Sequence, residues 1–152
     1  MLVVMSGPAN TQFTLGVHMV TLLAALDQAP QTSELLASSA GSNPVHVRRV
    51  LGRLRDAGLV ISQPGPKGGW RLAADPATTT LDEIWRAVHG DSSILGVPVA
   101  RPACTVGRRI QDSLADIDRS AARAIERHLA ETTVAELAHG TRASEFEPPH
   151  AA

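Results

Sequence analysis

Six basic residues, Arg48, Arg49, Arg53, Arg55, Lys67 and Arg71, fall between positions 43 and 71, with Asp56 the single acid among them. Guanidinium groups at this density neutralise phosphates and can clamp a guanine edge through paired hydrogen bonds. A lysine at a turn tip offers a point charge to the same polyanion. The whole chain has a net charge of -1, and from residue 77 onward eleven acids stand against eight bases. The positive charge is therefore a local patch, which points to a polyanion contact on one surface. Other chemistries find less support. Gly65, Gly68 and Gly69 are not followed by the Gly-Lys-Ser or Gly-Lys-Thr of a phosphate loop. No Ser-His-Asp or paired-carboxylate set falls on elements that would face each other, and His128, His139 and His150 lack metal-ligand spacing. Cys104 is the single cysteine, so an internal disulfide and a cysteine-rich zinc module are excluded.

The elements that must carry this patch are legible from periodicity and caps. Residues 12–27 hold Phe13, Leu15, Val17, Met19, Val20, Leu22, Leu23 and Leu26, apolar nearly all round, which suits a buried helix. His18 within it reads as a satisfied core histidine. Thr32 is an N-cap for a short helix from Ser33 to about Ser39, broken by Gly41. Asn43 before Pro44 starts the next helix, with a capping side chain followed by a preset φ, and Gly58 marks its end. Val47, Val50, Leu51 and Leu54 form one stripe of that helix; Val45, Arg49, Gly52 and Asp56 lie opposite, flanked by His46, Arg48, Arg53 and Arg55. Two short helices joined by Ala-Gly-Ser, the second basic on its outer face, predict a helix-turn-helix.

Residues 59–62 and 70–73 read as two strands of a hairpin whose tip carries Lys67, Gly68 and Gly69. Thr80 and Glu83 form a capping box for a helix with Leu81, Ile84, Trp85 and Val88 on one face, stopped by Gly90, where His89 reads as a partner of the helix C-terminus. Residues 91–103, with one glycine and two prolines, predict a loop longer than most connections. From Cys104 a long helix follows, its seam formed by Val106, Ile110, Leu114, Ile117, Ala121, Ile125 and Leu129 at alternating three- and four-residue steps. That stripe exceeds what the preceding domain covers and calls for a second chain. Thr133 and Glu136 cap a last short helix ending at Gly140, and residues 141–152, aperiodic with Pro148 and Pro149, read as a disordered tail.

With 152 residues the chain fits one domain and an appendage, and 43% hydrophobic against 19% charged residues permits a core. Aromatics are only 3%, so that core must be aliphatic, which favours helix packing over a β-sandwich. No run long enough to span a membrane and no secretory signal is present, so a cytoplasmic protein is expected. The predicted fold is mainly α with a small β-hairpin wing, a winged helix-turn-helix at 10–90, a loop at 91–103, dimerisation helices at 104–140 and a tail at 141–152.

The segment NPVHVRRVLGRLRDAGLV (43–60), followed by PGPKGGWRLA (64–73), LDEIWRAV (81–88) and CTVGRRIQ (104–111), resembles the Rrf-type family of bacterial repressors that includes IscR, NsrR and CymR. The likeness runs over roughly residues 12–138. It implies a homodimeric transcriptional repressor on a palindromic DNA operator, with the long helices as the dimer interface. It also implies base contacts from Val45, His46, Arg48 and Arg49, and phosphate contacts from Gln12, Thr32 and Ser33. The wing would contribute Lys67, Gly68 and Gly69, and Asn43 and Arg53 complete the candidate DNA-binding set. Arg48 stands where one cluster-binding member has an acidic residue that discriminates between operators, which implies a different preferred sequence. Cluster-binding members carry three cysteines around the loop before the long helix where this chain has one. No iron–sulfur cluster, and no other cofactor or metal, is therefore expected.

Two alternatives accompany this reading: a thiol- or ligand-responsive regulator, and a winged-helix protein-interaction module without DNA binding. Cys104, at the predicted start of the long helix near Arg101 and Arg108, is a candidate redox sensor. Its competing role is a small apolar residue packed beneath the loop.

Overall fold

The sequence signals for caps and breaks operate throughout the computed structural model, which describes residues 8–26, 29–97 and 104–140. α1 (Pro8–Ala25) buries Met19, Val20 and Leu23 almost completely and leaves Thr11 and Thr14 exposed. α2 (Ser33–Ala40) starts where Thr32 Oγ1 accepts the Leu35 N–H at 3.2 Å. It stops at Gly41, whose φ of 58° directs its N–H back to the last carbonyls. α3 (Pro44–Asp56) starts where Asn43 Oδ1 accepts the Val45 N–H at 2.8 Å. Its apolar stripe, Val47, Val50, Leu51 and Leu54, is fully buried, worth about 1.5–3 kcal/mol per side chain before entropic losses.

The strands β1 (Val60–Gln63) and β2 (Gly69–Leu72) pair antiparallel from Val60 opposite Leu72 to Gln63 opposite Gly69, one residue out of step with the sequence-based spans. Only the Val60–Leu72 end enters the core. Gln31 adds an isolated antiparallel bridge to β2, exchanging both backbone hydrogen bonds with Trp70 at 2.9 and 2.8 Å. That bridge constrains one wing glycine, and the hairpin turn constrains the other. A Cβ on Gly69, at φ 148°, would sit 2.6 Å from the Gln31 carbonyl oxygen, and one on Gly68 would sit 2.1 Å from that of Gln63. Both glycines thus have an internal packing reason beside the role expected of them at the hairpin tip.

α4 (Leu81–His89) buries Ile84, Trp85 and Val88. Its N-terminus joins that of α6 (Val134–Ala138): Leu81 N–H donates to Thr132 O at 3.0 Å and Val134 N–H to Thr79 O at 2.9 Å. In each helix the capping glutamate, Glu83 or Glu136, accepts the backbone N–H of the threonine before the helix. Val134 is completely buried and α6 packs on α1, so this helix belongs to the core of the winged unit. The sequence-based boundary at 104–140 groups it with the long helix instead. The correction follows from a pairing across some fifty residues that no local pattern announces.

α5 (Thr105–Leu129) has 25 residues, none of them buried, and packs against α4 along one side. Two histidines differ from expectation. His18 lies at the surface with Nε2 2.9 Å from Ser39 Oγ, since α1 turns that side outward; burial of part of the ring still pushes its pKa down. His89 is buried and stacked on Trp85 at 4.3 Å, and neither ring nitrogen has a partner among the described residues. It sits in the last turn of α4, as expected, but as a stacked aromatic filler without a hydrogen bond to a helix carbonyl among the described residues. The expected tail, 141–152, and the second half of the 91–103 loop, with Arg101, lie outside the described residues.

Candidate nucleic-acid interface

The buried stripe of α3 fixes which residues look outward. Val45 is 61% exposed, an unusual position for a branched apolar side chain at the start of a helix, and Arg49 projects into solvent without an ion pair among the described residues. Lys67 is likewise exposed at the hairpin turn, which a Gly68 N–H to Gly65 O bond of 2.9 Å closes. Helix face and hairpin tip thus carry positive charge on exposed side chains held by rigid elements. His46 is half-buried, with Nε2 enclosed and unpartnered among the described residues.

The remaining expected contacts are engaged within the chain. Ser33 is buried, and its Oγ accepts from Arg48 Nε at 3.0 Å, so it is withdrawn from direct phosphate contact. Arg48 also donates from Nη2 to Glu34 Oε1, and Ser33 Oγ donates to Glu34 Oε2 at 3.3 Å. The Glu34 carboxyl is held below the usual carboxylate range, first by its own backbone N–H at the helix start and then by Arg48. Thr32 and Asn43 spend their side chains on caps. Arg53 donates from Nη1 to Gln12 Oε1 on α1 and to Val88 O at the end of α4, at 2.6 Å in the second case. Arg53 and Gln12, both expected at DNA, therefore tie three helices together. Arg55 pairs with its neighbour Asp56 at 3.1 Å.

Glu34 was missed from the sequence. An acid in the first turn of a helix is ordinary dipole compensation, and nothing in a fourteen-residue separation marks Arg48 as its partner.

At the other end of the molecule, Cys104 is the N-cap of α5. Its thiol is exposed, and Sγ accepts the Gly107 N–H at 3.2 Å. The exposed thiol lacks the burial that the competing packing role calls for. Val106, Ile110 and Ile117 are 69%, 53% and 54% exposed, while Leu114, Ala121, Ile125 and Leu129 are half-buried. Asp118, on the α4 side of this helix, accepts from Leu95 N at 2.7 Å and Ser93 Oγ at 3.0 Å, strapping residues 93–97 to α5. The Leu95 N–H is the main cause of a lowered Asp118 pKa. A cleft of about 290 Å³ opens between α1 and the helix-turn-helix corner, lined by Thr11, Leu15, His18, Gly41 and Ser42 among others, with no residue of the strap in its wall. Among the described residues no helix is long and apolar enough to cross a membrane.

Comparison with known proteins bears on this geometry. The family model for Rrf2, described as an iron-dependent transcriptional regulator, matches residues 9–140. YwnA of Bacillus subtilis strain 168, named as an HTH-type transcriptional regulator, is 33% identical over 129 residues, which span 84% of this chain and 95% of YwnA. Among solved structures, one described as a DNA-binding protein is 31% identical with a TM-score of 0.63, covering 83% of this chain and 97% of its own. IscR of T. potens is 22% identical with a TM-score of 0.60 over 90% of each chain. CymR of Staphylococcus aureus is 23% identical with a TM-score of 0.58, over 88% of this chain and 99% of its own. The last two attest the fold. The sequence has one cysteine, and among the described residues no three His, Cys, Asp or Glu side chains are grouped to hold a metal ion.

Proposed function

The chain belongs to the Rrf2 family of transcriptional regulators, and from that premise we propose that it is a homodimeric repressor whose two winged units read a palindromic DNA operator. Members of this family are regulators, not enzymes. The observation that carries the DNA reading is α3 itself: its inner stripe is fully buried, so Val45, Arg48 and Arg49 are presented outward on a helix that cannot rotate, beside a hairpin tipped by Lys67. A helix so held can enter the major groove while the wing meets the backbone. The dimer reading rests on α5, where the three large apolar side chains at Val106, Ile110 and Ile117 remain more than half exposed in one chain. A two-fold pair of such helices would set the two α3 helices on successive half-sites.

Selection of bound fragments from the protein's own genome, followed by gel-shift titration of the recovered sequence against a random duplex, tests the proposal. A palindromic fragment preferred at least about a thousandfold supports it, in line with specific regulators. Equal affinity for both duplexes overturns it in favour of the protein-interaction module.

Exposure of the Cys104 thiol favours a second reading in which an oxidant such as peroxide signals through it. Comparing DNA binding of the parent and Cys104→Ser in peroxide and in reductant tests it. Identical behaviour of the two proteins removes the thiol from the signal.

A further inference from the structure

We propose that Glu34, in the first turn of α2, is a specificity-determining residue that holds the Arg48 guanidinium in place and keeps it from strengthening non-specific DNA binding. The inference rests on the DNA-binding reading above.

Three side chains form a closed ring between the two helices of the helix-turn-helix. Arg48 Nε donates to Ser33 Oγ at 3.0 Å, Ser33 Oγ donates to Glu34 Oε2 at 3.3 Å, and Arg48 Nη2 donates to Glu34 Oε1. The anchor is firm at one corner, since Ser33 is 7% exposed, while the side chains of Arg48 and Glu34 are 51% and 61% exposed. Two arms of the guanidinium are thus fixed and Nη1 is left outside the ring.

The position of the carboxylate decides the consequence. In helix-turn-helix docking the first helix crosses the DNA backbone, and the free N–H groups of a helix N-terminus are natural phosphate sites. At the start of α2 the Leu35 N–H is already taken by Thr32, and Glu34 adds a negative charge. A phosphate arriving there finds the Arg48 guanidinium already engaged by Glu34 and not free to meet it. Random DNA offers chiefly phosphates, so Glu34 weakens what random DNA can gain. A base edge is different, because a guanidinium plane fixed by Ser33 and Glu34 presents Nη1 to an acceptor with little further loss of side-chain freedom. Glu34 therefore lowers non-specific affinity more than specific affinity.

The test uses the genome-selected fragment and a random duplex of the same length. Glu34→Gln should raise affinity for the random duplex roughly three- to tenfold at low salt and steepen its logarithmic salt slope by about 0.9, one additional phosphate contact. The selected fragment should gain less, so the ratio of the two affinities falls. Adding Arg48→Ala to Glu34→Gln should abolish the gain on random DNA, which a carboxylate acting alone would not require. A ratio unchanged by Glu34→Gln, or a gain that survives Arg48→Ala, overturns the inference. Circular dichroism checks folding of each variant, and Glu34→Ala, with a strong helix former at this exposed site, serves if the glutamine variant does not fold. A parent protein that does not itself prefer the selected fragment overturns the DNA reading and this inference with it. A parent that discriminates, beside a variant that discriminates equally, overturns this inference alone.

Discussion

Arginines on one basic helix divide by what holds them. Arg49 has no ion pair among the described residues and stands on the outward face of α3, so Arg49→Ala should cost about 1–3 kcal/mol on the selected operator and little on random DNA. Lys67→Ala should weaken both duplexes alike and flatten the salt slope by about 0.9, as the loss of one phosphate contact requires. Equal losses on both duplexes for Arg49→Ala would make it a phosphate anchor. Arg53 behaves otherwise, because its Nη1 spans Gln12 and Val88 O. Arg53→Ala should lower stability in urea by about 1 kcal/mol and leave the ratio of operator to random affinity unchanged. The sequence placed Arg48, Arg49 and Arg53 together as a basic face, and that much is legible because helical spacing is local. The partners of Arg48 and Arg53 are fourteen and more residues away, on other helices, and charge patterning carries no record of them.

At the scale of elements, the strap at 93–97 shows how a loop predicted from its glycine and prolines acquires a fixed path. Asp118 receives the Leu95 N–H and the Ser93 hydroxyl, and the carboxylate is favoured over the acid, which lowers its pKa below that of the unfolded chain. A depressed carboxylate stabilises above its unfolded pKa, near 4, and the contribution disappears as pH falls through the lower folded value. The melting temperature of the parent should therefore exceed that of Asp118→Ala at pH 7, with the gap narrowing once the pH drops below about 4. Amide exchange at Leu95 should be faster in the variant at neutral pH. Unchanged exchange would show that other contacts hold the strap.

For the whole molecule the decisive surface is α5. This 25-residue helix has no buried residue and turns an apolar row outward, the surface that the homodimer proposed above would cover. Ile110→Glu combined with Ile117→Glu places two carboxylates in that row. Light scattering should then report a monomer, or circular dichroism a loss of helix. A double variant that keeps a dimer's mass and its helicity would move the interface elsewhere on the chain. Both side chains are more than half exposed in the single chain, so a clean shift to monomer is the expected outcome.

Which segments become helix or strand was decided by the sequence. Thr32, Asn43 and Thr133 cap, Gly41 and Gly90 stop, and the stripes of α3 and α4 declare their buried faces, all through interactions within a few residues. The winged fold and the location of its basic face follow from those local terms. Tertiary structure alone decided that α6 closes the core beside Thr79 and Thr80, that His18 faces out and His89 in, and that Ser33 is buried under Arg48. It also turned Gly68 and Gly69 into packing necessities, through the approach of the Gln63 and Gln31 carbonyls. The reason is physical: caps and periodicity act along the chain, whereas burial, ion pairing and backbone bridges depend on which distant residues the packed helices bring within hydrogen-bond reach.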